Sequence, residues 1–325
     1  MSDRLYIVVP CYNEEQVLPA TAERLKEKMS ALIGAGTIAK DSRVLFVDDG
    51  SKDGTWSIIA GLNAADGLFE GVKLSRNRGH QSALLAGMYT ATERADMIIS
   101  MDADLQDDIG AVDEMLDYYY QGNDVVYGVR SRRDKDSFFK RTTAEGFYKV
   151  MQALGVEVVF NHADYRLMSK RAVEGLKQFR EVNLFLRGIV PMVGYKSEKV
   201  YYQRGERLAG ESKYPLKKMI SFAVDGITSF SVKPLNFIFT AAAILIALGL
   251  AGLVVTITLT ALNIIPFWGI ILSAMALFTG IACGCLGIVG LYVGKSYMEV
   301  KHRPPYIIEE HLTGRTEDPG NNGNN

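Results

Sequence analysis

The stretch Met97-Ile98-Ile99-Ser100-Met101-Asp102-Ala103-Asp104-Leu105-Gln106 reads as a short apolar strand that halts at two carboxylates one residue apart. The sequence around it repeats the same kind of unit. Leu5 to Val9, Val44 to Val47 and Gly71 to Leu74 are earlier apolar runs, and Asp124 to Val129 is a later one. Between them lie stretches with helical spacing: Asn13 to Met29, carrying Val17, Leu18, Ala22, Leu25 and Met29, then Thr55 to Leu62, Gln81 to Glu93 and Ile109 to Gln121. Strands alternating with helices predict an α/β domain with a largely parallel sheet. The runs end in polar, acidic or Gly-containing residues, with Asp48-Asp49-Gly50-Ser51 after the second and Asp102 after the fourth. In open sheets of this class ligands bind outside the strand carboxyl ends, so chemistry is expected there.

A second region follows different rules. From 234 to 294, 61 consecutive residues carry no Asp, Glu, Lys or Arg, although the chain of 325 residues holds 36 basic and 37 acidic ones. As helix that run would reach roughly 90 Å, enough for two crossings of a ~30 Å hydrocarbon core with a turn between them. Phe237 to about Leu262 and Trp268 to about Val293 read as the two spans, broken at Asn263 to Pro266. Lys213, Lys217, Lys218 and Lys233 precede the first, and Lys295, Lys301 and Arg303 follow the second, so the positive-inside rule places both ends in the cytoplasm. The expected organisation is a cytoplasmic domain over 1–210, juxtamembrane amphipathic helices over 211–234, two transmembrane helices over 235–294 and a cytoplasmic tail over 295–325, a multi-pass protein of the inner (plasma) membrane. Lys196 to Lys233 carries eight basic residues against four acidic ones, which suits an anionic membrane surface and equally a solvated helix face. Gly280 and Gly284, then Gly290 and Gly294, have small-xxx-small spacing, which packing within the chain and assembly of a homo-oligomer explain equally well.

Composition removes several classes. A net charge of -1 lacks the electrostatic footprint of a nucleic-acid binder, and 31 Gly with 9 Pro is too little for a collagen-like or low-complexity chain. Three cysteines cannot build a disulfide framework; Cys283 and Cys285 lie inside the apolar block with no His or third Cys beside them and read as membrane packing. Met1 to Arg4, followed at once by the short run Leu5 to Pro10, lacks the apolar core of a signal peptide.

Two carboxylates at a strand end offer the hard oxygen ligands that hold Mg²⁺ or Mn²⁺ together with substrate phosphates, so a metal-bridged nucleotide diphosphate fits the crevice. A bare Asp-x-Asp is elsewhere a helix cap or a solvated turn. Here Leu105-Gln106-Asp107 continues the motif, and a second acidic strand end at Asp48-Asp49 faces the same crevice. The sequence resembles the inverting GT-A glycosyltransferases, and among them the polyprenyl-phosphate glycosyltransferases that include bactoprenol glucosyltransferases and dolichyl-phosphate mannose synthases. Six motifs carry the resemblance in family order: Val8-Val9-Pro10-Cys11-Tyr12-Asn13-Glu14-Glu15, Val47 to Thr55, Ser75-Arg76-Asn77-Arg78-Gly79-His80, Met101 to Gln106, Ala163-Asp164-Tyr165-Arg166-Leu167-Met168 and Ala209-Gly210-Glu211-Ser212-Lys213-Tyr214.

The resemblance implies a Rossmann-like GT-A domain and two C-terminal spans. It further implies transfer of one sugar from a nucleotide sugar, with UDP-glucose the preferred donor, to undecaprenyl or another polyprenyl phosphate at the cytoplasmic face. Pro10, Tyr12, Glu14 and Asp48, with Asp49 and Arg76, would line the nucleotide-sugar pocket, to which Asp102 and Ala103 also belong. Asp102, Asp104 and Gln106 would hold the metal and diphosphate, Asp104 contributing to catalysis through the metal. Asp164 takes the place of the catalytic carboxylate near the acceptor; Asn161 and His162 stand where the family often has another acid. An ionised lipid phosphate needs little general base, so Asp164 can position the acceptor as readily as deprotonate it. Arg130 and Arg141 resemble residues that meet the lipid phosphate, and Arg207, Ser212 and Lys213 a loop that closes over the diphosphate; a solvated basic loop is the rival for the former pair. His80 and His162 read as scaffold histidines with no assigned role.

Two rival classes fare worse. A processive polysaccharide synthase carries Gln-x-x-Arg-Trp, and neither Trp56 nor Trp268 has those neighbours. A transporter or non-catalytic scaffold would show charged residues within its spans or lose the acidic motifs, and neither is seen.

Overall fold

A computed structural model describes residues 2–104, 106–131, 162–179, 186–203 and 267–314, with isolated positions between 238 and 262. It divides into two units, one of Met1–Ala144, Val158–Lys213 and Pro304–Asn325, the other of Glu145–Glu157 and Tyr214–Arg303. In chain order the first unit has β1 (Leu5–Cys11), α1 (Leu18–Gly34), β2 (Arg43–Asp48), α2 (Thr55–Ala65), β3 (Phe69–Leu74), α3 (His80–Ala91), β4 (Met97–Ser100), α4 (Ala111–Tyr120) and β5 (Val125–Arg130). It continues with β6 (His162–Ser169), α5 (Lys170–Leu176), α6 (Leu186–Met192), β7 (Ser197–Tyr202) and, after the second unit, β8 (Ile308–Leu312).

Among the described residues the strands form one eight-stranded sheet in the order β7-β5-β6-β4-β1-β2-β3-β8. The pairs β1–β2, β2–β3, β1–β4 and β5–β7 are parallel, as the alternating pattern predicts. β6 runs antiparallel between β4 and β5, and β8 antiparallel beside β3. Every residue of β1 is buried. Leu5, Ile7, Val9 and Cys11 join a core with Leu18, Ala22, Leu25 and Met29 of α1, Ile59 of α2 and Val112, Met115 and Leu116 of α4. The alternate residues turn to the opposite face, where Val8 meets α3 at Gly87: a Cβ there would fall 2.4 Å from Val8 Cγ1 and 2.6 Å from Val47 Cγ2. A sheet covered on both faces has continuous apolar strands, which is why these runs are legible without alternation.

The edges of elements depart from the sequence expectation for identifiable reasons. α1 starts at Leu18 and not at Asn13, because Asn13 sits at φ 56°, a left-handed conformation that no helix contains, and Pro19 suits the first turn. The chain turns sharply from β1 and begins its helix a turn later.

In the second unit, helix α7 covers Phe267–Val300, 34 residues. It contains the second expected span and runs on past Val293. Its segment Phe278–Val300 is long and apolar enough to cross a membrane. The first expected span lies mostly outside the described residues; the positions described between 238 and 259 are helical.

Candidate active site

At the switch point of the sheet, β1 sends the chain one way to β2 and β3, while β4 lies on its other side. The carboxyl ends of β1, β2 and β4 therefore border one crevice. Ala103, between the two carboxylates, is buried, and its carbonyl oxygen accepts from the Thr21 hydroxyl of α1 at 2.8 Å. That bond fixes the backbone on which Asp102 and Asp104 are mounted. Asp104 Oδ1 accepts from the Gln106 N–H at 3.2 Å, and Gln106 is itself buried, so the loop beyond the strand folds back on the motif.

The antiparallel register between β4 and β6 brings Asp164 to the end of β4. Met97 pairs with Ser169 and Ser100 with Arg166, and the same register carried two residues past the strand end sets Asp102 opposite Asp164. The Ser100 hydroxyl reinforces it, lying 2.5 Å from the Asp164 carbonyl oxygen. His80, the first residue of α3, fills the space between the two: its Nε2 is 3.6 Å from Asp102 Oδ1 and 3.6 Å from Asp164 Oδ2. Arg166 shares the Asp164 face of β6 two residues on, and its Nη2 meets Asp164 Oδ1 at 2.5 Å with the guanidinium buried. Arg187 of α6 approaches the other oxygen, Nη2 to Oδ2 at 3.3 Å.

These neighbours set the charge states. Burial opposes ionisation of Asp164, but the charge of Arg187, the contact with His80 and the charge of Arg166 override it and hold the carboxyl well below its usual range. Burial would lower the His80 pKa, yet the contact with Asp164 and the charges of Asp102 and Asp164 raise it. Asp102 moves the other way: burial, with Asp107, Asp164 and Asp104 adding to it against His80, pushes it up to about 6. Opposite shifts in two neighbouring carboxylates follow from one being paired with guanidiniums and the other being buried and crowded by acids.

The loops after β1 and β2 are stapled together. The Asn13 N–H donates to Ser51 Oγ (3.0 Å), Lys52 N–H to Asn13 Oδ1 (2.9 Å), Glu14 N–H to Thr55 Oγ1 (2.9 Å) and Gly54 N–H to Glu15 Oε2 (2.8 Å). Pro10 is buried beneath them, and Tyr12 stands 42% exposed at the rim. Asp48 is fully buried, with its carboxylate accepting from the Ser51 N–H at 3.2 Å, and burial pushes its carboxyl up. Asp49 spends both oxygens on backbone, Oδ1 on Arg78 N–H at 2.6 Å and Oδ2 on Gly79 N–H at 2.9 Å. It braces the loop that presents Arg76, which is exposed, and His80. Gly50, at φ 67°, allows this loop to approach: a Cβ there would lie 2.6 Å from the Arg76 carbonyl carbon.

Arg130, at the end of β5, is drawn inward. Its Nη2 is 3.6 Å from Asp107 Oδ1, its Nε 3.4 Å from the Tyr202 hydroxyl, and that hydroxyl donates to Asp107 Oδ1. Among the described residues, none hydrogen-bonds Asp107 Oδ2, which is buried. Arg141, Arg207, Ser212 and Lys213 lie outside the described residues.

The structure places Asp102 and Asp164 on either side of His80, with Asp104 close to Asp102; the sequence reading assigned no site role to His80, Arg166, Arg187, Asp107 or Tyr202. His80 is a member of the site, not a scaffold residue remote from it. The period of two along β6 is the signal that could have found Arg166; nothing in the sequence brings Arg187 or Tyr202 to the site. Among the described residues no group of three or more His, Cys, Asp or Glu side chains is arranged to hold a metal ion; Asp102 and Asp104 offer two carboxylates of the kind a divalent cation takes, and the acids that push Asp102 up are a charge that such an ion would relieve.

Residues 6–176 match the family model of glycosyl transferase family 2. The chain is 48% identical over 316 residues to the uncharacterized glycosyltransferase YkoT of Bacillus subtilis (strain 168), covering 97% of this chain and 94% of that protein. It is 36% identical over 310 residues to the prophage bactoprenol glucosyl transferase homolog of Escherichia coli (strain K12), covering 94% and 98%. It is 35% identical over 316 residues to the SfII prophage-derived bactoprenol glucosyl transferase of Shigella flexneri, covering 96% and 99%. The mostly parallel α/β sheet is that of a Rossmann-like GT-A domain. The chain belongs to glycosyl transferase family 2, and it is a glycosyltransferase.

Proposed function

We propose that this enzyme moves a single sugar, with glucose from UDP-glucose the preferred donor, onto undecaprenyl or another polyprenyl phosphate at the cytoplasmic face of the inner membrane. The observation that carries the reading is Asp164, clamped by Arg166 and Arg187 and set by the β4–β6 register opposite Asp102. A carboxylate so compensated is a weak base, which suits an acceptor that arrives already ionised, as a phosphate monoester does. The bactoprenol glucosyl transferases among its relatives support the same acceptor class.

In this reading Asp102 and Asp104, with Gln106, hold the diphosphate end of the donor through Mg²⁺ or Mn²⁺; when bound, that ion supplies Lewis-acid stabilisation of the departing nucleotide diphosphate. Pro10, Tyr12, Glu14 and Asp48 line the nucleotide pocket, with Arg76 at its mouth and Asp49 bracing the loop behind. A phosphate oxygen of the acceptor attacks the anomeric carbon, a new C–O bond forms, and the bond to the diphosphate breaks with its electron pair leaving on UDP. Inversion gives a β-linked product from an α-linked donor. Asp164 orients the acceptor, with Arg130, Arg141, Arg207, Ser212 and Lys213 the further groups proposed to meet its phosphate or the diphosphate.

Sheet topology supports membrane attachment by two spans. β1 to β7 precede the apolar block and β8 follows it, yet all belong to one sheet. A chain that leaves and rejoins one sheet ends on the side where it began, so a crossing by α7 requires a second crossing, for which the apolar residues before Asn263 are available. Purified full-length protein in nanodiscs, supplied with undecaprenyl phosphate, Mg²⁺ or Mn²⁺ and radiolabelled UDP-glucose, UDP-galactose, UDP-N-acetylglucosamine, UDP-aminoarabinose or GDP-mannose, tests the proposal. Glucose label entering the lipid phase is expected. Entry of another sugar corrects the donor, and label that stays aqueous with every donor overturns the reading.

A further inference from the structure

Beyond Asp102 and Asp104 the chain runs on through Gln106 to Asp107, whose side chain is 1% exposed. One of its oxygens is engaged: Oδ1 accepts from the Tyr202 hydroxyl and lies 3.6 Å from Arg130 Nη2. Among the described residues, none hydrogen-bonds the other oxygen. A buried carboxylate with one oxygen unsatisfied costs stability, and an apolar side chain of similar volume would fill the place at less cost. Arrangements that give up stability in this way mark places where a charge has a task. Shut off from water, the Asp107 carboxylate acts on what faces it, and that is Arg130, with 25% of its side chain exposed.

The surroundings fix where Asp107 stands. Tyr165 of β6 donates its hydroxyl to the Asp108 carbonyl oxygen at 2.9 Å and meets the Tyr202 ring edge-on, 5.3 Å between centroids. Tyr202 pairs with Arg130 in the parallel β5–β7 register, and its carbonyl oxygen accepts from the Ser131 N–H at 2.9 Å and from Ser131 Oγ at 3.0 Å. The loop that follows the cation-site acids is thus pinned to the two strand ends beside Arg130. The charge of Asp102 acts on Arg130 as well, so the guanidinium borders the same crevice. At 3.6 Å its Nη2 is beyond hydrogen-bond length from Asp107, so the carboxylate draws it by charge without a hydrogen bond. An arginine stem has many rotamers, and a fixed opposite charge behind the head group selects among them.

We infer that Asp107 is a positioning residue that aims Arg130 at the phosphate of the acceptor. This rests on the acceptor class and the role of Arg130 proposed above. It divides the acidic run into two tasks, the donor diphosphate for Asp102 and Asp104 and the acceptor for Asp107.

The test uses full-length Asp107→Asn, Arg130→Gln and the double variant in nanodiscs, with undecaprenyl phosphate and the donor used by wild type varied independently and melting temperature measured alongside. Removing the guanidinium should raise the acceptor KM of Arg130→Gln about 10- to 100-fold. Asp107→Asn, which leaves the guanidinium present and unaimed, should raise it at least about fivefold. Adding Asp107→Asn to Arg130→Gln should change it by less than about twofold, because nothing is left to aim. Full additivity of the two changes overturns the inference. So does an acceptor KM that holds or falls in Asp107→Asn, the outcome for a carboxylate that merely offsets the charge of Arg130. A loss seen only as a higher donor KM or a higher Mn²⁺ requirement also overturns it and makes Asp107 a partner of the cation site. Should Asp107→Asn melt too early to assay, Tyr202→Phe decides, since it keeps the charge and removes the hydroxyl that holds Oδ1: an acceptor KM there within about twofold of wild type overturns the inference. Wild-type enzyme that transfers nothing to any polyprenyl phosphate overturns the acceptor class and this inference with it, a result read without any variant.

Discussion

Replacing Asp164 with Asn should cost more stability than any other single change at the site. The substitution keeps the shape of the side chain and removes its charge, leaving Arg166 buried with no counter-ion at 2.5 Å. Breaking a buried pair from one side costs about 3–5 kcal/mol, most of it the burden of the stranded charge. Arg187 also loses its contact with Asp164, but with 37% of its side chain in water this adds little. At about 2–4 °C per kcal/mol for a domain of this size, the melting temperature should fall by roughly 10 °C. Trp56 reports on the right unit, since its ring packs at Gly71 of β3, and the other of the two tryptophans, Trp268, lies in α7. Melting followed by tryptophan emission in detergent is therefore the assay. The decisive control is Arg166→Met in the Asp164→Asn background, which removes the stranded charge and should restore at least half of the loss. A single variant melting within 2 °C of wild type, or a double variant no better than the single, would refute the argument from buried charge.

Asp102 should behave in the opposite sense. Its folded pKa of about 6 lies above the ordinary 3.8, so its contribution to stability is fully present below about pH 4 and is lost as pH rises through 6. The shift alone is worth about 3 kcal/mol, and with a third of the side chain in water about 1 kcal/mol is expected; metal-free Asp102→Asn should melt above wild type at pH 7.5 and level with it at pH 4. Gly50→Ala forces a Cβ to 2.6 Å from the Arg76 backbone at a φ of 67°, so it should displace the His80 loop, cutting turnover at least tenfold and stability by about 2 kcal/mol, read by initial rates and by melting. Tyr202→Phe takes the hydroxyl donor from Asp107 and should cost about 1–2 kcal/mol by melting while loosening Arg130, seen as a raised acceptor KM.

The parallel half of the sheet was legible because β1, β2 and β4 are buried on both faces and so appear as unbroken apolar runs. The acidic strand ends were legible for the same reason: a run that stops at Asp102 marks its own terminus. β6 was not, since Asp164 and Arg166 interrupt its pattern with charges that only a tertiary partner makes tolerable. β7 and β8, reading Ser-Glu-Lys-Val-Tyr-Tyr and Ile-Glu-Glu-His-Leu, are edge strands whose outward residues are charged, and they resemble loops or a tail. Asp49 illustrates a subtler limit. Its residue type and strand-end position point to a ligand, while its hydrogen bonds to Arg78 and Gly79 make it a brace, and a carboxylate's partners are not written in its neighbours along the chain.

The pairing of β8 with β3 sets the order in which this enzyme can mature. Translation produces β3 early and β8 only after all the apolar segments have emerged, with Ser75 N–H awaiting the Ile307 carbonyl and Glu70 awaiting the Gly314 N–H throughout. Until then β3 presents an open row of backbone donors and acceptors on the ribosome-bound chain. Completion of the sheet thereby waits until the apolar block has been synthesised, and a nascent chain truncated before Ile308 would carry an unfinished seam for chaperones and proteases to recognise.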